Sequence, residues 1–591
     1  MYSILEKIQN PADLKKLAID ELIALCGEIR CFLIETISKT GGHIGANLGV
    51  IELTVALHYV FDAPKDKIIF DTGHQGYTQK LLTGRLELFK TLNQTGGLSR
   101  FLCREESEYD IIDASHAGTA ISIASGMALN NKIKQKKELV VVIVGDGALV
   151  EGMSAEGLNF TVADKLSMIV VINDNGMAIP PNVGGIKNLF SGDDWHEKSR
   201  AYFEGLGHQY IAVPDGHNIG DLIISFKQAS DMSQNGCVMV HVKTEKGKGL
   251  AIAKNHKYKM HFSMPFNPAT GEGSSPVPAG KTYATVAADQ LRKLMRQDKD
   301  IIVITPSTPY ASGLDNCLAD FSERTIDVGM AEQHAIGMAC GLALSGAKPF
   351  VCYQSTFMQR AFDQIIHDIC FMNLPVTILA ARSGFAGLDS HTHHGIYDIS
   401  YLRCVPNLKM FYPGHSFDLE YILEKRATNP QGPMIIFYPY ENIPASENEY
   451  RPNNLDINDL QEICPGDVGY ILAVGNRLET AIELKKMLAI HNLNFGIINI
   501  RWLKPIPENS LRNIFQKTKY VITMEENVID AGFGSIISEM ICDNNYPCKL
   551  IRIAIPDAFV KPGPKTYLSF YTKIDAESSL NKIRSIWQEL F

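Results

Sequence analysis

Two apolar runs stand out along the chain: LVVVIVG, ending at Gly145, and MIVVI at 168–172. Both are continuous and rich in β-branched residues, as expected of parallel strands buried on both faces. Each ends in a Gly/Asp/Asn-rich turn, and segments with apolar residues at helical spacing flank both. Comparable runs recur at 301–304, 349–351, 376–380, 469–474, 495–499 and 521–524. The first 26 residues mix charges with apolar positions at helical spacing, and a polar helix is expected over 578–591. The alternation predicts an α/β protein of doubly wound sheets in three stretches. The expected boundaries are 1–278, 281–445 and 460–591. A Pro/Gly/Ser-rich linker at 267–280 separates the first two, and a polar segment at 441–459 separates the last two.

Composition narrows the class. The chain has 591 residues, too many for one core and enough for about three or four domains. It is 45% hydrophobic and 20% charged, with a formal net charge of −9 and no block of like charge. That excludes nucleic acid as the main partner, because a phosphate-backbone binder needs a concentrated basic face. No apolar run has the length of a membrane span, and the N-terminus does not read as a signal peptide. Twelve scattered cysteines without a CxxC pair suggest free thiols in a reducing compartment, hence a cytoplasmic enzyme.

The chemistry lies where the two apolar runs end. One closes in Gly145-Asp146-Gly147 and the next in Asn173-Asp174-Asn175. In an open parallel sheet the carboxyl ends of the strands line the ligand crevice. Asp146, Asn175 and a backbone carbonyl, here Met177, would offer the hard oxygen ligands that Mg²⁺ prefers, with a diphosphate supplying others. Glycines allow close backbone approach, and the helix near 152–159 can aim N–H groups at phosphate oxygens. A GDG turn alone is weak; paired with the second Asn-rich strand end it resembles the signature of thiamine-diphosphate enzymes.

Further motifs widen that resemblance to nearly the whole chain. They include GGHIGANLGV (41–50), DTGHQGY (71–77), GGLSRF (96–101), SHAGTA (115–120), NVGGI (182–186), VKTEKGKG (242–249), DVGMAEQHA (327–335), STFMQRAFDQ (355–364), SGFAGLDSHTHHG (383–395), RWLKPIP (501–507) and EENVIDAGFGS (525–535). In this order the chain resembles the 1-deoxy-D-xylulose-5-phosphate synthase family within the transketolase-like superfamily. The resemblance implies thiamine diphosphate and Mg²⁺ as cofactors, pyruvate and an aldehyde as substrates, and a homodimer. It makes Glu332 the glutamate that hydrogen-bonds the cofactor's aminopyrimidine ring and promotes loss of the thiazolium C2 proton. It places His74, Ser115, His116, Ala117, Gly145, Asp146, Gly147, Ala148, Asn175, Met177, Phe357 and Arg360 on the cofactor. His43, His74, His261, His393 and Asp389 would assist the chemistry. His43, Gln354, Arg360, Arg382, Asp389, His393 and Tyr440 would face substrate, arginines suiting carboxylate and phosphate by their planar fork.

The chain departs from the family in three places that bear on substrate. Asn93 stands where the family carries Arg, and Gln354 where it carries Tyr. The family's Arg-Tyr-Pro-Arg-Gly is here Phe437-Tyr438-Pro439-Tyr440-Glu441. A lost bidentate contact, worth on the order of 1.5–3 kcal/mol, would weaken phosphate binding roughly ten- to a hundredfold. Glu441 is expected to repel a phosphate further, which suggests an altered acceptor aldehyde. The stretch 184–203 is also shorter than the family's, which would affect a mobile cover. Two other readings are a transketolase-type enzyme with a ketose donor, which QRAFDQ and THHG disfavour, and a non-catalytic homologue, which intact Asp146, Asn175 and Glu332 disfavour.

Overall fold

The computed structural model describes residues 2–113, 115–273, 280–451 and 459–591, without the side chains of 446 and 448. The 274–279 part of the expected linker and 452–458 of the expected polar separator lie outside the described residues. Two compact units form, Met1–Pro278 with Val328–Ala331, and Ala279–Asp327 with Glu332–Phe591.

The first unit holds one parallel sheet. Its strands are β1 (Lys67–Phe70), β2 (Val140–Gly145), β3 (Ile169–Asp174), β4 (Gln209–Val213) and β5 (Val238–Lys243), in the order β1-β2-β3-β5-β4. Alternate side chains feed two different cores. Phe70, Val141, Ile143, Val171 and Val240 pack with the helices Ile19–Thr40, Ile51–Val60 and Ile219–Met232. Ile69, Val142, Val144, Val170 and Met239 pack with Ala120–Ile133 and Gly152–Ala163. Helices on both faces therefore bury the sheet completely, which is why its strands carry no polar alternation. In this unit the region 184–203 is formed by the helix Gly184–Leu189 and part of Trp195–Leu206.

The second unit holds two sheets. One has β6 (Ile301–Thr305), β7 (Thr325–Asp327), β8 (Lys348–Gln354), β9 (Thr377–Ala381), β10 (Lys409–Phe411) and β11 (Met434–Tyr438). The other has β12 (Gln461–Cys464), β13 (Gly469–Val474), β14 (Phe495–Ile500), β16 (Tyr520–Val528) and β17 (Lys549–Ile555), in the order β12-β14-β13-β16-β17. The short β15 (Trp502–Lys504) crosses over and pairs antiparallel with β10 at the edge of the β6–β11 sheet. Phe385 and Ile396, from beyond β9, sit in the core of the last sheet. The second stretch of sequence thus lends two residues to the core of the third. The final helix is shorter than expected: it runs Ala576–Ile586, and a separate turn of 3₁₀ helix follows at Gln588–Leu590.

One carboxylate ties the sheet of the first unit to the loop beyond it. Asp71, at the end of β1, accepts hydrogen bonds from the backbone of Gly118 (2.9 Å) and Ala120 (3.1 Å). It anchors the 115–117 segment and places negative charge at the start of the helix Ala120–Ile133, where the helix dipole favours it. Replacing Asp71 with Ala is expected to lower unfolding stability by about 1–3 kcal/mol, because two buried N–H groups lose a charged acceptor. The urea midpoint measures this, and an unchanged midpoint would contradict it.

Candidate active site

In the first unit, Gly145 of β2 pairs with Asn173 of β3, so Asp146 and the 174–177 turn leave the sheet side by side. Asp146 is buried. Its carboxylate accepts bonds from Gly147 N (3.0 Å), Gly176 N (2.7 Å) and Asn182 Nδ2 (2.8 Å). Asn175 Oδ1 accepts from Met177 N (3.1 Å), and a bridge between Met177 and Pro181 closes the turn. The structure therefore brings Asp146, Asn175 and Met177 to one place. Three donors occupy the Asp146 carboxylate, which has about four lone-pair sites, so one remains for a cation. This hard-oxygen set suits Mg²⁺. Gly147 is needed for packing: a Cβ there would lie 2.7 Å from that of Ala178. Ser154, on the following helix, bonds the Ala148 carbonyl (2.8 Å).

Asp174 stands behind this turn. Its carboxylate meets His241 Nε2 at 2.8 Å and Lys243 Nζ, and bonds Gly176 N (3.2 Å). Burial raises the Asp174 carboxyl, but His241 and Lys243 outweigh that and hold it below its ordinary value. Burial, then the Asp174 charge, push Asp146 well above its own.

Three histidines form a second cluster in the same unit. Ring centroids lie 5.5 Å apart for His43 and His74, 5.5 Å for His43 and His261, and 5.3 Å for His74 and His261. Phe101 and Phe262 edge onto His43. Gly45 permits this approach, since a Cβ there would lie 2.0 Å from the Lys259 carbonyl oxygen. Asn47, fully buried, donates to the carbonyls of both His43 and His74 (2.8 Å each). Burial lowers His74 to about 3 and His261 well below its ordinary value, so both rings are neutral near pH 7. Their Nδ1 atoms are buried without a hydrogen-bond partner among the described residues, which marks them for a ligand. Ser115 and Ala117 are buried beside the Asp71 anchor, and His116 is partly buried.

Lys246, from KGKG, was not singled out from sequence. It is buried, donates to the Ala178 carbonyl (2.6 Å), and its charge is felt by His74, His261 and Asp146. Burial lowers it to about 7. Asn182 and Asn47 were missed as well, although each lies in a quoted motif. Asn93, one of the departures, has a left-handed backbone (φ +71°). It accepts from Arg100 Nε, and Arg100 stacks on Phe262 at 4.6 Å. A guanidinium thus still lies beside position 93.

The second unit assembles another group of residues. Glu332 is buried at the start of the helix Glu332–Leu344, 3.9 Å from Arg360. Tyr353 Oη donates to its carbonyl (2.6 Å). Strands β8, β9 and β11 are neighbours, and in register Gln354 pairs with Ala381 and Ala381 with Tyr438. Gln354, Arg382 and Tyr440 therefore gather at the carboxyl ends of adjacent strands. Phe357 meets His393 edge-on at 5.4 Å. Arg382 approaches Asp389 (3.4 Å) and stacks on the Tyr440 ring (4.2 Å).

The expectation for Glu441 is overturned. Its carboxylate is bound by Lys565 (3.1 Å) and Asn476 (2.9 Å). Burial raises it, but Lys565 and Arg477 outweigh that and hold it below its ordinary value. Its charge is already matched, so it does not act as a free repeller of phosphate.

Replacing Lys246 with Met is expected to leave the urea midpoint unchanged or higher, since a buried cation is removed, while kcat/KM falls about tenfold or more for loss of a charged contact. Full activity in this variant would reduce Lys246 to a packing role.

Three family descriptions match the chain: 1-deoxy-D-xylulose-5-phosphate synthase over residues 5–202, the transketolase pyrimidine-binding domain over 279–446 and the transketolase C-terminal domain over 460–578. A 1-deoxy-D-xylulose-5-phosphate synthase from Halothermothrix orenii is 38% identical, covering 100% of this chain and 98% of its own. One from a Geobacillus species is 39% identical over 94% of each chain. One from Geobacter sulfurreducens is 37% identical over 98% of this chain and 96% of its own. The α/β fold is of the transketolase type, and the chain belongs to the 1-deoxy-D-xylulose-5-phosphate synthase family.

Proposed function

We propose that the chain is a thiamine-diphosphate- and Mg²⁺-dependent transferase that decarboxylates pyruvate and joins the remaining two-carbon unit to an aldehyde, glyceraldehyde 3-phosphate, as the names of its relatives imply. Full-length similarity to those synthases is the observation that carries this reading. When bound, thiamine diphosphate supplies an acidic carbon that adds to a 2-oxo acid and takes up the electrons released with CO₂. Asp146, Asn175 and the Met177 carbonyl would hold the metal. Gly145, Gly147, Ala148, His74 and the 115–117 segment would hold the diphosphate end.

Glu332 would hold a proton at the cofactor's aminopyrimidine nitrogen, with the Arg360 guanidinium 3.9 Å from its carboxylate. Phe357 would pack on the cofactor ring. His74 and His261, as neutral imidazoles, and His43 beside them would hydrogen-bond substrate oxygens, and Phe101 and Phe262 would keep water from them. His393 and Asp389 would play the corresponding part on the side of Arg382 and Gln354. An altered acceptor rested on Asn93, Gln354, the loss of arginine at 440 and the charge of Glu441. The last of these has gone, and Arg382 and Lys565 both lie near Tyr440.

We also propose the three-domain division 1–278, 281–445 and 460–591, supported by the matched ranges 279–446 and 460–578. A homodimer is supported by the exposed Leu344, Phe371 and Met372, an apolar set that isolated monomers seldom leave bare. A cytoplasmic location is supported by twelve cysteines without a disulfide. No described helix is long and apolar enough to cross a membrane.

The test is release of CO₂ from pyruvate, with formation of a 1-deoxy-ketose when glyceraldehyde 3-phosphate is added. Glu332→Gln is expected to lower kcat by about 10²–10⁴ while cofactor binding persists, as for loss of a proton-transfer group. Asp146→Asn is expected to raise the Mg²⁺ concentration needed for half-maximal activity. No CO₂ from pyruvate, or an active Glu332→Gln variant, would defeat the reading.

A further inference from the structure

Tyr440 lies just beyond β11 with its ring 49% exposed, and two cations reach it from distant parts of the chain. Arg382, the residue after β9, places its guanidinium carbon 4.2 Å from the ring centroid. Lys565 places Nζ 5.9 Å from the same centroid. The path of the C-terminal stretch is set by Gly563 N, which donates to the Gly387 carbonyl (3.0 Å) on the loop that follows Arg382.

Three details point to a ligand rather than to packing. Arg382 has a left-handed backbone (φ +62°), an unfavourable conformation for arginine that is kept where surrounding structure imposes it and that gathers at functional sites. Its Nε is buried without a hydrogen-bond partner among the described residues, and its approach to Asp389, at 3.4 Å, is long for a charge-assisted bond. Lys565 uses one N–H on Glu441, which Asn476 also binds, and an ammonium has two more to offer. Asp389 and Glu441 offset part of the positive charge, so each cation should count measurably in binding an anion.

We propose that Lys565 is a specificity-determining residue, forming with Arg382 and Tyr440 the subsite for a phosphate group at the far end of the acceptor aldehyde. The proposal rests on the reading given under Proposed function. A phosphate offers three acceptor oxygens. The guanidinium fork, including the unpaired Nε, would take two, and the lysine, a point charge on a flexible stem, would take the third. The cation missing from position 440 is thereby supplied from position 565.

The test compares kcat/KM of the wild-type holoenzyme and Lys565→Met, with pyruvate and either glyceraldehyde 3-phosphate or unphosphorylated glyceraldehyde. The variant is expected to lose roughly ten- to a hundredfold on the phosphorylated aldehyde, chiefly through KM, and less than about twofold on the other. Lys565→Arg should restore most of the loss. Equal losses on both aldehydes, or no loss on either, would overturn the proposal, as would a wild-type preference for the unphosphorylated aldehyde. Titration of glycerol 3-phosphate into the protein reads the subsite without turnover. Binding at least tenfold weaker in Lys565→Met supports the proposal, and equal binding overturns it. Absence of CO₂ release by the wild type would defeat the functional reading instead, leaving the titration to decide the subsite.

Discussion

A buried carboxylate must be matched by donors, and the first unit is organised around meeting that demand at Asp146. Burial takes this group out of bulk solvent, and two backbone N–H groups and the amide of Asn182 bond it instead. The backbone donors come from Gly147 and Gly176, where close approach and a left-handed turn (φ +76° at Gly176) exclude larger residues. The strand register makes the arrangement possible, because Gly145 and Asn173 pair directly and the turns beyond them emerge together. Asp174, a second acid one turn away, is kept charged by His241 and Lys243. The cost of crowding two carboxylates therefore falls on Asp146.

The second unit uses the same strand-end geometry for a different purpose. Gln354, Arg382 and Tyr440 reach the carboxyl ends of β8, β9 and β11. Below them Asp398, fully buried, is bonded by Ser355 and Ser383 (3.3 Å), and burial raises its carboxyl to about 8. That junction joins the ends of β8 and β9 and helps to fix the backbone at Arg382. The last sheet contributes through its connections: Glu526 binds Phe385 N (2.7 Å), Asn476 (2.8 Å) and Arg477 (2.7 Å). The loop that carries Asp389 and His393 is thus held by residues far away in sequence.

What could be read from sequence follows from this contrast. Strands β2 and β3 were legible because burial on both faces leaves nearly continuous β-branched runs, and β13 because its Ile471–Val474 is continuously apolar. Strands β1 (KIIF) and β4 (QYIAV) are shorter and each begins with a polar residue, and were not assigned. Asp146 and Asn175 were legible because each ends such a run beside glycine. Asn182 and Lys246 were not, because their importance lies in bonds to Asp146 and Ala178, which only folding brings near. Glu441 was misjudged for the same reason: sequence displays its charge but not Lys565, 124 positions away.

Two departures from the family then share one physical explanation. At position 93 an arginine is missing, yet the Arg100 guanidinium is bonded to the Asn93 side chain. At position 440 an arginine is missing, yet Lys565 stands near Tyr440. A charge needed at a strand end is defined by its location in space, and any segment packed against that end can deliver it. The backbone donors around Asp146 have no such freedom, because each N–H is tied to its own place in the turn. A contact made by backbone N–H groups is therefore bound to sequence position, whereas a side-chain charge can be supplied from one stretch or another. A substitution read on its own, as Tyr440 first was, leaves out the cations that fold in beside it.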